Sequence, residues 1–179
     1  AVNFMARGVH DYSFTPAYTD ENHFIHQHLI FKLATTRGTL AAASPISLKR
    51  LNLRIYKNLI KEGTMGTLSP EDIYNQNMRV TGSLELNYED RTYRNYMLNN
   101  TYRAMSIVLQ NTDATIGSGS ANPTLTLELP RVGFMTWEPN TPNNELVTQS
   151  IDFEAYFDLA NNEELIETCT LKNTQTAAY

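Results

Sequence analysis

Apolar and polar residues alternate with a period of two along much of this chain. The signal is cleanest over residues 79–88. There Val80, Gly82, Leu84, Leu86 and Tyr88 share one parity, and Thr81, Ser83, Glu85 and Asn87 share the other. Successive side chains of a strand point to opposite faces, so this is the pattern of a half-buried strand. Similar stretches cover residues 23–36, 46–59, 104–110, 124–129, 132–137, 147–158 and 165–171. Within 46–59 the apolar parity changes near Arg50, which predicts a bulge or a bend between sheets. Pro130 marks an edge or bend between two strand stretches. Two short helices are expected. Ser69, Pro70 and Asp72 suit the N-cap, first and capping-box positions of a helix over 70–77. Asp90 can cap a second over 91–99, with Tyr93, Tyr96 and Met97 as its inner face. Loops fall at 38–45, 60–69, 111–123 and 138–144. The expected fold is mainly β, a β-sandwich or barrel with one or two short flanking helices. Residues 1–45 read as an N-terminal arm with the first strand or strands, and 46–179 as the β domain, expected to be continuous. The start at Ala1 without Met fits a processed chain or the end of a larger one.

Composition agrees with the pattern. The chain has 179 residues, enough for one domain with its own core. It holds 18 Asn and 21 Thr, residues that favour turns and strands respectively. No apolar run approaches the roughly 18 residues that span a bilayer, and no membrane partner is expected. The single cysteine, Cys169, cannot form an internal disulfide or a thiolate zinc site. The net charge of −5 is uneven: residues 1–110 carry +3 and residues 111–179 carry −8. An acidic last third argues against a surface that grips nucleic acid there.

Several motifs invite chemistry. His23, His26 and His28 lie within six positions, and on a strand His26 and His28 would share a face; Asp20 and Glu21 could complete a metal site. Polar residues on an exposed strand are the simpler reading, since two imidazoles are only part of a site. Gly117-Ser118-Gly119-Ser120 lacks the Lys-Ser/Thr of a phosphate loop and reads as a flexible loop. Asn99-Asn100-Thr101 matches a glycosylation acceptor, a match expected by chance in an Asn-rich chain. No nucleophile motif or selectable carboxylate pair marks a catalytic centre, so no catalytic residue, cofactor or metal is assigned. Four acids stand out instead. Glu85, Glu128, Asp152 and Glu154 each lie opposite the apolar parity of their strand, and neighbouring strands would place them on one surface. An ordinary solvated face is the plain alternative.

The order of elements from residue 46 onward resembles a known family. Leu51-Asn52-Leu53-Arg54-Ile55-Tyr56-Lys57-Asn58-Leu59 leads to Ser69-Pro70-Glu71-Asp72-Ile73-Tyr74, then Val80-Thr81-Gly82-Ser83-Leu84-Glu85-Leu86 and an acidic turn. Leu127-Glu128-Leu129-Pro130-Arg131-Val132-Gly133-Phe134 and Leu146-Val147-Thr148-Gln149-Ser150-Ile151-Asp152-Phe153-Glu154-Ala155 follow, and Thr170-Leu171-Lys172-Asn173 closes the series. Over residues 46–173 this resembles the phage tail tube proteins, the major tail proteins of long-tailed bacteriophages. The resemblance implies a non-catalytic virion protein made in the bacterial host cytoplasm. Its subunits would form rings, usually hexameric, that stack into a tube, with other tail proteins as further partners. DNA would pass through without specific binding. Glu85, Glu128, Asp152 and Glu154 would then face the lumen as rings of negative charge. The loops carrying Lys61, Gly63 and Gly66, and Gly117, Ser118 and Gly119, would contact the next ring. Two other classes stay open at this stage: another β-rich virion part, such as a capsid decoration or baseplate protein, and a carbohydrate-binding β-sandwich using Trp137 and the tyrosines.

Overall fold

The computed structural model describes residues 23–63, 65–66, 72–116 and 119–173. Among these, the strands are β1 (Leu29–Ala34), β2 (Arg50–Glu62), β3 (Asp72–Asn87), β4 (Arg103–Gln110), β5 (Thr124–Asn140), β6 (Thr148–Ala155) and β7 (Thr168–Lys172). One helix, α1 (Thr92–Leu98), lies between β3 and β4, and single turns of 3-10 helix, His26–His28 and Arg37–Thr39, flank β1. The fold is mainly β, with the strands in one antiparallel sheet of order β1-β4-β5-β6-β3-β2 and β7 attached to β5. No helix among the described residues is long and apolar enough to cross a membrane.

The described residues form two compact units. Residues 55–79 make one, from the later part of β2 and the earlier part of β3. Its large apolar side chains Ile55, Tyr56, Ile60 and Tyr74 are exposed. Asn58 Nδ2 donates to the Asn77 carbonyl at 2.9 Å. The second unit, residues 23–54 and 80–173, holds the core.

The parity read from residues 79–88 decides what that core contains. Val80, Leu84 and Leu86 of β3 are buried, and the β3–β6 register sets Leu84 opposite Ile151 and Gly82 opposite Phe153. Phe31, Met105, Leu129, Val132 and Phe134 complete it from β1, β4 and β5. Gly82 is required by space. A Cβ there would collide with the Asn52 carbonyl oxygen and stand 2.5 Å from the Phe153 ring.

The sheet is curled. Ile46 N–H bonds the Phe31 carbonyl of β1 at 2.8 Å, and Lys49 N–H bonds the Glu85 carbonyl of β3 at 2.8 Å. Three residues reach about 11 Å at most. In a flat sheet β1 and β3 would stand four strand spacings apart, about 19 Å. Within the second unit the strands therefore wrap toward a barrel, one of the two forms expected from the sequence. The parity change near Arg50 falls where the chain leaves β1 and joins β3.

β5 organises the rest. β4 pairs with one edge of it from Thr124 to Val132. β6 takes the other edge from Val132 to Asn140, and β7 takes the same edge from Thr124 to Glu128. The residues between β6 and β7 loop out where Pro130 interrupts the edge, since proline has no N–H to pair. The register shifts there, and again around Met135, so β5 carries two bulges. The first moves the buried parity from Leu129 to Val132 and Phe134, and the second moves it on to the half-buried Trp137.

α1 forms one residue later than expected, with Arg91 and not Asp90 in the N-cap position. Thr92 N–H donates to Asp90 Oδ1 at 2.8 Å, which with the Thr92 hydroxyl holds that carboxyl below the usual carboxylate range. Tyr96 stacks on Phe134 with centroids 5.7 Å apart, and Tyr93 meets the same ring edge-on.

The helix expected over 70–77 is corrected: residues 72–77 begin β3, while 70–71 lie outside the described residues. Ile73 and Tyr74 are good strand formers, and a hairpin partner satisfies more backbone groups than one capped turn. The expected loop 60–69 is shortened, because β2 continues to Glu62.

Candidate functional site

The face of β3, β6 and β5 turned away from the core is a set of polar rows. Glu85, Ser150 and Glu138 pair across the three strands, then Ser83, Asp152 and Thr136, then Thr81, Glu154 and Gly133. Antiparallel registry forces this, since each residue is opposite one of the same parity. Three of the four acids singled out from the sequence are thus brought together: Glu85, Asp152 and Glu154. Thr136 Oγ1 donates to Asp152 Oδ2 at 2.8 Å, holding that carboxylate in the row. Arg50 Nε approaches Glu85 at 3.7 Å, with Arg50 largely exposed, so this pair is a weak, salt-screened one.

Glu128 has a different setting. It sits in the early part of β5 between Ser106 of β4 and Thr168 of β7. Arg37 Nε donates to it at 3.0 Å, and the Thr168 hydroxyl at 3.0 Å. The same guanidinium reaches Glu163 at 3.1 Å and the Thr168 hydroxyl at 3.2 Å. Glu128 first, then Glu163, pushes Arg37 above its ordinary range. Its place on the acid face is taken by Glu138, which sequence reading assigned to a loop. The alternation Thr136, Glu138 was its only signal, and the bulge at Met135 hid it.

The remaining candidates are dispersed. His26 and His28 stand on a 3-10 turn, not a strand, so a period of two does not align them. His28 is buried and lies 3.4 Å from Asp113, and its Nδ1 accepts the Ile25 N–H at 3.2 Å. Asp20 and Glu21 lie outside the described residues. No metal-ligating cluster occurs among the described residues. Lys61 is on β2, Gly63 follows its end, and Gly66 turns with φ +96. Gly119 lies in a bend; Gly117 and Ser118 lie outside the described residues. Trp137 is half-buried, its indole N–H donating to Gln149 Oε1 at 2.9 Å beside Tyr88.

The site is therefore a charged strand face. The family model described as phage tail tube protein matches residues 14–155. The chain belongs to that family. The tail tube protein is a structural component of the virion tail, with no enzymatic role. Its fold is similar to that of a sheath/tube terminator from an extracellular contractile injection system: TM-score 0.56, 11% identity, covering 77% of this chain and 96% of that one. It is similar to the SPP1 tail tube at TM-score 0.54 and 8% identity, covering 74% and 76%. The tail of an empty GTA particle, refined with C6 symmetry, gives TM-score 0.53 and 8% identity over 74% and 93%. No curated protein matches the sequence. As a tube component, this subunit associates with its own copies and with other tail proteins.

Proposed function

We propose that the subunits close into hexameric rings, that the rings stack into a tube, and that DNA passes along a lumen faced by Glu85, Glu138, Asp152 and Glu154. One observation carries this reading: these acids share one face of a β5-β6-β3 ladder whose other face is core. Ring closure multiplies each acid by the number of subunits. DNA carries one charge per about 1.7 Å of axis. A lumen of like charge does not hold it. At physiological salt the field reaches about 8 Å, enough to be felt across much of a narrow bore. Six-fold closure draws support from the C6 symmetry of the similar GTA tail. The hairpin end with Lys61, Gly63 and Gly66 is the reading's contact to the next ring, and the exposed Ile55, Tyr56, Ile60 and Tyr74 beside it supply apolar surface. The loop carrying Gly117, Ser118 and Gly119 keeps the same assignment. Synthesis in the bacterial host cytoplasm follows from a phage origin.

Electron microscopy of the concentrated protein tests the assembly, with six-fold rings or tubes expected. For the lumen, Glu85→Gln, Glu138→Gln, Asp152→Asn and Glu154→Gln are combined. Exposed strand charges contribute little to stability individually, so the subunit should fold and assemble. The neutral tubes should retain DNA that wild-type tubes release. Equal release from both, or a tube reconstruction with these acids on the outer wall, overturns the lumen assignment.

A further inference from the structure

Two unlike surfaces lie at opposite ends of β6. Just before its start, Tyr88, Arg91, Arg94, Trp137, Pro139 and Val147 line an open groove of about 420 Å³. Trp137 forms its floor, held by Gln149, which itself donates to the Asn87 carbonyl at 3.2 Å. Arg94 lies over the indole at 6.0 Å. The lining has two arginines and no carboxylate, and neither arginine forms an ion pair among the described residues.

Past the other end of β6 is the loop that separates it from β7. Leu159 at its tip is 82% exposed. The loop that carries it is nevertheless well braced. Asp158 and Glu163 exchange backbone bonds of 3.0 and 3.1 Å, Asn161 Nδ2 donates to Asp158 Oδ2 at 2.7 Å, and Asn162 adopts φ 55. The Asn161 bond leads in holding the Asp158 carboxyl below the usual carboxylate range, with Arg131 adding to it. Glu164 beside this tip is exposed, and its carboxylate makes no ion pair among the described residues. A braced loop holding an apolar side chain in water has already met part of the ordering cost of binding.

The geometry points to a head-to-tail contact in which Leu159 of one copy seats against Tyr88 and Trp137 of a second copy, with Glu164 meeting Arg91 and Arg94. Charge and shape are complementary, apolar tip to aromatic floor and a carboxylate to guanidinium groups that, among the described residues, have no ion-pair partner. The two surfaces stand roughly 24 Å apart along the eight residues of β6, taking about 3.4 Å per residue. Unlike patches at opposite ends of one element cannot satisfy each other within a two-fold dimer of a single contact, and each copy keeps one patch open for the next. Such heterologous contacts build rings or open stacks. This deepens the ring reading and rests on it for the choice of occupant.

The test uses the full chain. Leu159→Asp and the pair Arg91→Glu with Arg94→Glu change exposed or rim side chains, and circular dichroism checks that each variant folds. Each should raise the concentration needed for assembly by about tenfold or more, as expected when a central anchor or its charges are reversed. Adding Glu164→Lys to the arginine pair should recover part of it. Mixing the Leu159→Asp protein with the arginine variant leaves one good contact between unlike copies, so dimers should form where rings do not. Thr141 also lines the groove, so in a Cys169→Ser background, Leu159→Cys and Thr141→Cys proteins, mixed under mild oxidation, should cross-link. Rings without cross-link, with both variants assembling like wild type, overturn the contact and leave the ring reading standing. Cross-linked dimers without rings do the reverse. Neither product overturns both.

Discussion

Two side-chain positions show how closely the core constrains this chain. Gly82 keeps the parity of an apolar strand position but has no room for a side chain. Gly82→Ala should lower stability by about 1–3 kcal/mol, the usual cost of overpacking, because the nearest obstacle is a backbone carbonyl that cannot turn aside. Chemical denaturation measures it; an unchanged midpoint would mean that β2 shifts freely. Tyr93 differs in kind. Burial first, then Tyr96 and the carboxylates Asp90 and Glu89, pushes its phenol up to about 12. An unfolded tyrosine titrates near 10. The neutral form favours the fold, so the contribution is whole below about pH 10 and is lost as pH rises through the folded value. Tyr93→Phe should flatten the fall in stability between roughly pH 10 and 12. Denaturation at pH 8 and pH 11 shows whether it does.

Strand β7 depends on a single edge of β5, and the Arg37 cluster ties both to the 3-10 turn after β1. Removing the cation leaves Glu128 and Glu163 facing each other. With every member partly exposed, Arg37→Ala should cost about 1–2 kcal/mol, less at high salt. Amide exchange in β7 should accelerate well before exchange in β4 and β6 does; uniform acceleration would contradict a local role. Elements of this kind differ in how far the sequence reveals them. β6 alternates cleanly because one face meets core along most of its length. α1 is legible through Asp90 and its tyrosines. The start of β3 is not, because a capping signature there competes with a hairpin whose partner is distant in sequence.

For the assembled protein, charge placement matters more than charge amount. Of the ten acids in residues 111–179, Glu138, Asp152 and Glu154 are aligned on a ladder face, while Glu128 and Glu163 are compensated in the Arg37 cluster. Tubes should therefore tolerate neutralisation of the ladder and respond in DNA retention. They should need about tenfold higher concentration to grow when Leu159 or the two groove arginines are replaced by acids. The two sets of variants separate transport from assembly in one microscopy and scattering series.

Local pattern alone determined the β character, most strand positions, α1, the buried parity of β3 and β6, and the acids that parity exposes, because each depends only on neighbours one to four residues away. The family likeness followed from the order of those elements. Tertiary structure decided the rest. The curl of the sheet needs bonds from Ile46 to Phe31 and from Lys49 to Glu85, which no local spacing encodes. Glu138 joined the acids because the bulge at Met135 reverses the parity set by Val132 and Phe134, and Glu128 was set apart from them with Arg37 because the edge partner of β5 changes from β6 to β7 along its length. A bulge is one unpaired residue in a ladder, and it exists only once the partner strand is in place.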